Sequence, residues 1–392
     1  MRITFFPANN GDSFFLETAS DSILIDGGYV STYKKYIKPK LLQLKKENRS
    51  LNHLIVTHID NDHISGIIKF IQENTENKIA EVENVWHNSY SHLKSIYDGL
   101  NFSGKSIDTM SINYQLKDEE DLSSKNISAV QGSTLASLLK KNNFQSKNEF
   151  LNNHYISFDT AKVIECDDVI FRILSPDDDK LLELKKYWKK ELFNKGFSSD
   201  QDLSDFNEEF FEYILSLEKE KKRLRKKNIS ASEVIDVEAL AEQDFSEDDT
   251  ATNGSSIAFV LEYNKLRLLF LSDSHPSIVA KNIKEHYKEE TFPIKFDLIK
   301  ISHHGSKNNT SPELLELIDS EKYMISTNGV THNHPDLETI ARIIQRKSTF
   351  TRNIYVNYDL DSLKSFENED LEKKYNYKML KNKTNNPIIF DL

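Results

Sequence analysis

The chain has 392 residues, with 51 Lys and Arg against 62 Asp and Glu, a formal net charge of −11. Such a surface repels polyanions at long range, so contact with nucleic acid needs a local basic patch or a metal site. The single cysteine, Cys166, excludes a disulfide framework and a cysteine-rich structural zinc site.

The first 28 residues read as a strand-rich hairpin region. Residues 3–6 are apolar, 7–12 form a turn cluster, and 13–18 and 22–25 are strands stopped by Asp26-Gly27-Gly28. This start has no long apolar run of a signal peptide, and no later stretch reaches the ~18 apolar residues of a membrane span. A reducing, cytoplasmic setting is expected.

Residues 32–48 read as a Lys-rich helix. A compact β run over 51–56 ends at Thr57-His58. Ile64, Ile67, Ile68 and Ile71 then carry helical spacing, so the helix begins at the acidic segment Asp60-Asn61-Asp62. A strand over 81–86 ends at His87. Residues 95–160 and 178–250 read as polar insertions, the first with a helix near 135–141 and the second mostly charged helix. They account for a hydrophobic share of only 38 % in a chain with 23 Phe and 16 Tyr to fill a core. The second insertion holds the basic run 221–227. Strands are expected over 169–174, 256–263, 266–271, 296–301, 323–326, 353–358 and 388–390, and a helix over 335–344. Polar residues recur at strand ends: Asp273, His303-His304 and His334. Loops at strand ends are where a rigid scaffold presents chemistry.

The densest constellation is His58, Asp60, Asp62 and His63. Four potential ligands lie within six residues, between a buried strand and a helix. In an extended turn, residues 58, 60 and 62 face one side, and His63 enters from the first helical turn. That spacing suits two neighbouring metals better than one, and remote ligands must complete them. The bland reading, Asp62 as a helix N-cap, leaves two histidines and a second aspartate unexplained.

His58-x-Asp60-x-Asp62-His63-x-x-Gly66 resembles the signature of the metallo-β-lactamase superfamily, whose second position is usually His and here is Asp60. The variant is similar to the ComEC-like branch, which includes the competence protein hydrolase domain and the phosphorylcholine esterases. Gly11-Asp12-Ser13, Leu24-Ile25-Asp26-Gly27-Gly28, Leu271-Ser272-Asp273, Ser302-His303-His304-Gly305-Ser306 and Asn333-His334-Pro335 resemble the remaining motifs, in the expected order. The resemblance implies an α/β fold: a four-layer αββα metallo-β-lactamase sandwich, one domain with helical insertions. It implies metal ligands His58, Asp60, Asp62, His63, Asp273 and one of His303 and His304, the other touching substrate. Asp62, His304 and His334 become the catalytic candidates. His87, Gly305 and Ser306 become the substrate-binding ones. One feature departs from the family pattern: no His precedes Asp273 in its hairpin, which leaves His87, His92 and His154 upstream.

The cofactor expected is zinc, two ions per chain, with Mn²⁺ as the alternative because carboxylates make a harder site. A metal-activated water and a phosphate-containing substrate, nucleic acid among them, give the leading reading: a phosphodiesterase or nuclease. Two other readings stay open. One is an amide, ester or peptide hydrolase. The other is a component of a defence or DNA-uptake assembly, docked through 178–250 and active only with its partners.

Overall fold

The computed structural model describes residues 1–96, 122–194 and 235–392. Two sheets carry the fold. The first contains β1 (Arg2–Phe5), β2 (Phe14–Glu17), β3 (Ser22–Ile25), β4 (Leu51–Ile55) and β5 (Val82–Trp86). The chain's last strand, β16 (Ile388–Asp391), joins it at the β1 edge, giving the order β16-β1-β2-β3-β4-β5. The second contains β6 (Val163–Cys166), β7 (Val169–Ser175), β8 (Ala258–Tyr263), β9 (Leu266–Phe270), β11 (Leu298–Lys300), β13 (Lys322–Ile325), β14 (Arg352–Val356) and β15 (Tyr377–Lys381). A small parallel pair, β10 (Ile294–Phe296) and β12 (Ile318–Ser320), stands apart. The apolar run expected as one strand over 296–301 is therefore broken at Asp297.

Side-chain parity shows the layering. In β2, Phe14 and Leu16 face the second sheet while Phe15 faces helices. In β9, Leu268 and Phe270 face the first sheet while Leu269 faces the opposite helices. The central core thus lies between two sheets, and each outer face is covered by helices. One helical layer holds Asn61–Asn77, Leu122–Lys141 and Asp178–Asn194. The other holds Pro276–His286 and Leu337–Ile344. This is the αββα sandwich the motifs imply.

The ends of the second expected insertion are packed. Leu181, Leu184 and Trp188 are buried in the first helical layer, and Val237 and Ala241 in the second. The basic run 221–227 lies outside the described residues. Among the described residues, no helix is long and apolar enough to cross a membrane.

His53 on β4 points into the core between the sheets, where it accepts a hydrogen bond from Trp86 Nε1 at 3.2 Å and meets the Phe171 ring edge-on. Burial pushes its pKa down to about 4. The unfolded chain binds this proton near the ordinary value of 6.5 while the folded chain does not. Stability is therefore full above pH 6.5 and falls as the pH drops towards 4, by about 3 kcal/mol for this group. Denaturant unfolding of His53→Asn should show a slope between pH 6 and 4.5 shallower by one proton, about 1.4 kcal/mol per pH unit. An unchanged slope would show that His53 does not set it.

Candidate metal centre

In both sheets the strands that carry the site run parallel: β3 with β4, and β9 with β11 and β13. Their carboxyl ends therefore meet at one rim. Asp26 follows β3, Thr57 and His58 follow β4, Asp273 follows β9, and His303 and His304 follow β11.

Asp273 stands at the middle. Its Oδ2 lies 3.8 Å from His58 Nε2, 3.4 Å from His63 Nε2, 3.8 Å from His303 Nε2 and 3.7 Å from His304 Nε2. Asp60 Oδ2 is 3.8 Å from His58 Nε2, and Asp62 Oδ2 is 3.5 Å from His304 Nε2. Asp60 occupies the N-cap position of the helix Asn61–Asn77, yet its side chain makes no capping bond. It accepts instead from Thr252 Oγ1 at 3.3 Å. Asp62 sits in the first turn and accepts from Asn10 Nδ2 at 2.9 Å.

The other nitrogen of each ring is engaged. His63 Nδ1 donates to Asp26 Oδ2 at 2.8 Å, and His304 Nδ1 to the Ser326 carbonyl at 2.8 Å. His303 Nδ1 donates to Asn309 Oδ1 at 2.8 Å; the Asn309 amide nitrogen faces Asp248 Oδ2 and the Asp273 carbonyl, so its oxygen must face the ring. Thr57 Oγ1 donates to Asp26 and is approached by His58 Nδ1 at 3.1 Å. Nδ1 is thus the anchored nitrogen of each ring, and Nε2 faces Asp273, the atom left to ligate an ion once any proton on it is displaced.

Charge is concentrated here. Burial, and then the charge of Asp62, push Asp60 up to about 6. Burial and the charge of His63 push His58 down to about 4. Burial also penalises the Asp273 carboxylate, but His63, His304 and His303 hold it well below the ordinary range. A cation fits this setting. His58 Nε2, His63 Nε2, His304 Nε2 and Asp273 Oδ1 are buried without a hydrogen-bond partner, a costly state for polar atoms unless a ligand completes them. Two triads, His58/His63/Asp273 and Asp62/His63/His304, bring their ligand atoms close enough to hold an ion.

Residues 7–123 match the model of the metallo-beta-lactamase superfamily. The match spans His58, Asp60, Asp62 and His63, and the αββα layering agrees with the superfamily's sandwich. Its members are mostly metal-dependent hydrolases, and the His/Asp groups fit that class. A search of curated proteins found no match.

Other expected site residues fall elsewhere. His87 is buried beyond β5, and its carbonyl accepts from His92 Nδ1 at 3.2 Å. No described contact ties it to Asp273. His154 stacks on Phe150. Gly305 N–H donates to the Ser302 carbonyl and Ser306 N–H to that of His303, closing the tight turn that carries both histidines. His334 lies at the rim, its ring 5.4 Å from that of His303. Cys166 is buried with its thiol pushed up to about 11 by burial, which makes it a poor nucleophile.

The residue types of the supporting shell give little sign of their role in sequence. Asp26 is the exception, because it ends a strand at Gly-Gly. It accepts from Thr57 N at 2.8 Å, Thr57 Oγ1 at 2.7 Å and His63 Nδ1. Asp26→Asn replaces one accepting oxygen with an amide N–H₂ that meets these donors as a donor itself. Metal affinity, read by competition with a chelator, should fall roughly 10–100-fold, as is usual for such outer partners. Wild-type affinity in the variant would remove Asp26 from this role. Asp12 and Lys300 form a buried ion pair behind His304, whose Nδ1 is 3.6 Å from Asp12 Oδ1. Asp248, from the end of the second expected insertion, supports His303 through Asn309 and accepts from Asn253 at 2.6 Å.

Proposed function

We propose that the chain is a metal-dependent phosphodiesterase, with nucleic acid the leading substrate class. The observation that carries the metal-dependent part is the Asp273 carboxylate facing four imidazole Nε2 atoms. The phosphodiester part is supported by the resemblance of the 58–63 motif, with Asp60 in second position, to the ComEC-like branch.

His58, Asp60, Asp62, His63, Asp273, His303 and His304 would hold the ions, with His58, His63 and Asp273 forming one compact group and Asp62, His63 and His304 another. His303 then takes the part of the histidine missing before Asp273. Three carboxylates make Mn²⁺ a competitor to zinc. Bound ions of this kind polarise a phosphoryl oxygen and supply a water-derived nucleophile at neutral pH. Asp62 would orient that water. Burial works against its charge, but the neighbouring His304, with Nε2 at 3.5 Å, and the charge of His63 hold it ionised. Asn10, itself bonded by Tyr29 Oη at 3.1 Å, fixes the carboxylate's direction. His334, whose ring is beside that of His303 and whose Nδ1 is 3.4 Å from Asp336 Oδ2, would serve the leaving-group side of the substrate.

The test joins metal analysis of the purified chain with hydrolysis of bis-p-nitrophenyl phosphate by wild type and Asp62→Ala/His63→Ala. About two equivalents of metal and a turnover lost in the variant are expected. Failure of the wild type to bind or turn over after Zn²⁺ or Mn²⁺ is added would overturn the proposal. On DNA or RNA, activity should fall steeply with salt, because phosphate contacts release counterions. A flat dependence would point to a small phosphodiester.

A further inference from the structure

His303 Nδ1 meets two side-chain amides. Asn309 Oδ1 lies 2.8 Å from it and Asn253 Nδ2 3.4 Å from it, with Asp248 Oδ2 beyond them at 3.7 Å. A neutral imidazole has one donor nitrogen and one acceptor nitrogen. If Nδ1 donates to Asn309, the lone pair of Nε2 is free and faces Asp273 Oδ2 at 3.8 Å. If Nδ1 instead accepts from Asn253, the proton sits on Nε2. An ion can then take that atom only once the bond to Asn253 is given up. The contest between two amides therefore bears directly on what His303 can hold.

Asp248 decides the contest. Its Oδ2 accepts from Asn253 Nδ2 at 2.6 Å and from Asn309 Nδ2 at 3.1 Å. The first bond draws the Asn253 N–H₂ away from the ring, and the flipped amide would set oxygen against oxygen. The second turns the Asn309 oxygen towards the ring. Asp248 is itself fixed. Its Oδ1 accepts from Thr250 N–H at 2.9 Å, and its own N–H donates to the Asn308 carbonyl at 3.1 Å. The preceding Glu247 accepts from the N–H and the hydroxyl of Ser277, each at 2.8 Å. The Asp248 side chain is 9 % exposed. Burial opposes its charge, but Asn253, Thr250 and Asn309 hold its carboxyl below the ordinary range. These residues all lie beyond the 7–123 match.

We propose that Asp248 is a positioning residue for metal binding: it draws the Asn253 amide off His303, so that Nδ1 bonds Asn309 and Nε2 stays open to an ion. The inference rests on the metal-centre reading above, which uses His303 but not Asp248.

The experiment titrates cobalt(II) into the metal-free full chain against a competing chelator and reads the visible absorption of the ligated ion. Asp248→Ala frees the Asn253 amide. One of about two equivalents should bind roughly 10–100-fold more weakly, the usual cost of losing an outer partner. Asp248→Ala/Asn253→Ala removes the competing amide as well, while Asn309 keeps its bond to the Asp273 carbonyl at 3.1 Å. This second variant should recover most of the affinity and the wild-type spectrum. Deleting a further hydrogen-bonding side chain would not rescue a role that is merely structural. Wild-type affinity in Asp248→Ala would overturn the proposal, and so would a double variant as weak as the single one. A wild type that gives no cobalt spectrum would overturn the metal-centre reading itself, and this role with it.

Discussion

Asp273→Asn should lose at least about three orders of magnitude in hydrolysis of bis-p-nitrophenyl phosphate, or about 4 kcal/mol of transition-state stabilisation. The physical reason is the position of one oxygen. Asp273 Oδ2 faces four Nε2 atoms within 3.8 Å. Asparagine keeps the shape but replaces a full negative charge with a dipole. If the replacement turns its amide nitrogen towards the rings, the four Nε2 atoms meet a donor where they now meet a carboxylate oxygen. At least one of two metal equivalents should go with the activity. Far-ultraviolet dichroism should stay unchanged, because Asp273 follows β9 and no backbone ladder depends on its side chain. A variant that keeps its metal and stays within tenfold of wild-type rate would remove Asp273 from the centre.

The second large effect is on the fold that builds the site. Gly66 lies in the helix Asn61–Asn77, where alanine would ordinarily gain about 1 kcal/mol over glycine. Here the sign reverses. A Cβ at Gly66 would stand 2.0 Å from the Gly27 carbonyl oxygen, a backbone atom that cannot swing aside. The approach is fixed on both sides, since Gly66 N–H donates to the Gly28 carbonyl at 2.9 Å and Gly27 N–H to the His63 carbonyl at 2.8 Å. Gly66→Ala must push the helix off the 26–28 turn and so pull His63 from Asp26. We expect a loss of about 3 kcal/mol in denaturant unfolding, at the upper end for overpacking, together with weaker metal retention. Wild-type stability would mean that the turn yields without cost.

Much of this architecture follows from local pattern. Phe14, Leu16, Ile23 and Ile25 alternate with Phe15 and Leu24, and that period of two assigns each side chain to a face before any tertiary contact is known. The helical spacing after His63 is equally local, as is the crowding of His58, Asp60, Asp62 and His63 in one turn. The short pieces were not legible. β10 and β12 have three residues each, and β6 alternates exposed and buried positions with only Ile164 and Cys166 inside. The helix Pro276–His286 was also missed, although Pro276 stands at its start and Val279, Ala280 and Ile283 carry helical spacing. The first helix holds a wider π turn over Tyr33–Ile37, which periodicity does not separate from an α-helix.

The sequence by itself determined the chemistry of the motif, the order of the remaining polar strand ends and the two-faced strands, because each depends on neighbours within a few residues. Only the tertiary structure decided which distant groups meet. His303 and His304 are adjacent, and adjacent side chains ordinarily diverge. Both take left-handed backbone, φ 44° and 57°, and this turns both Nε2 atoms to Asp273. Asp26 reaches His63 because parallel strands of two stacked sheets bring their carboxyl ends to one rim, and loops packed on that rim bring Asp12 to Lys300 and Asp248 to the His303 side. A chain position carries no record of that rim until the sheets stack.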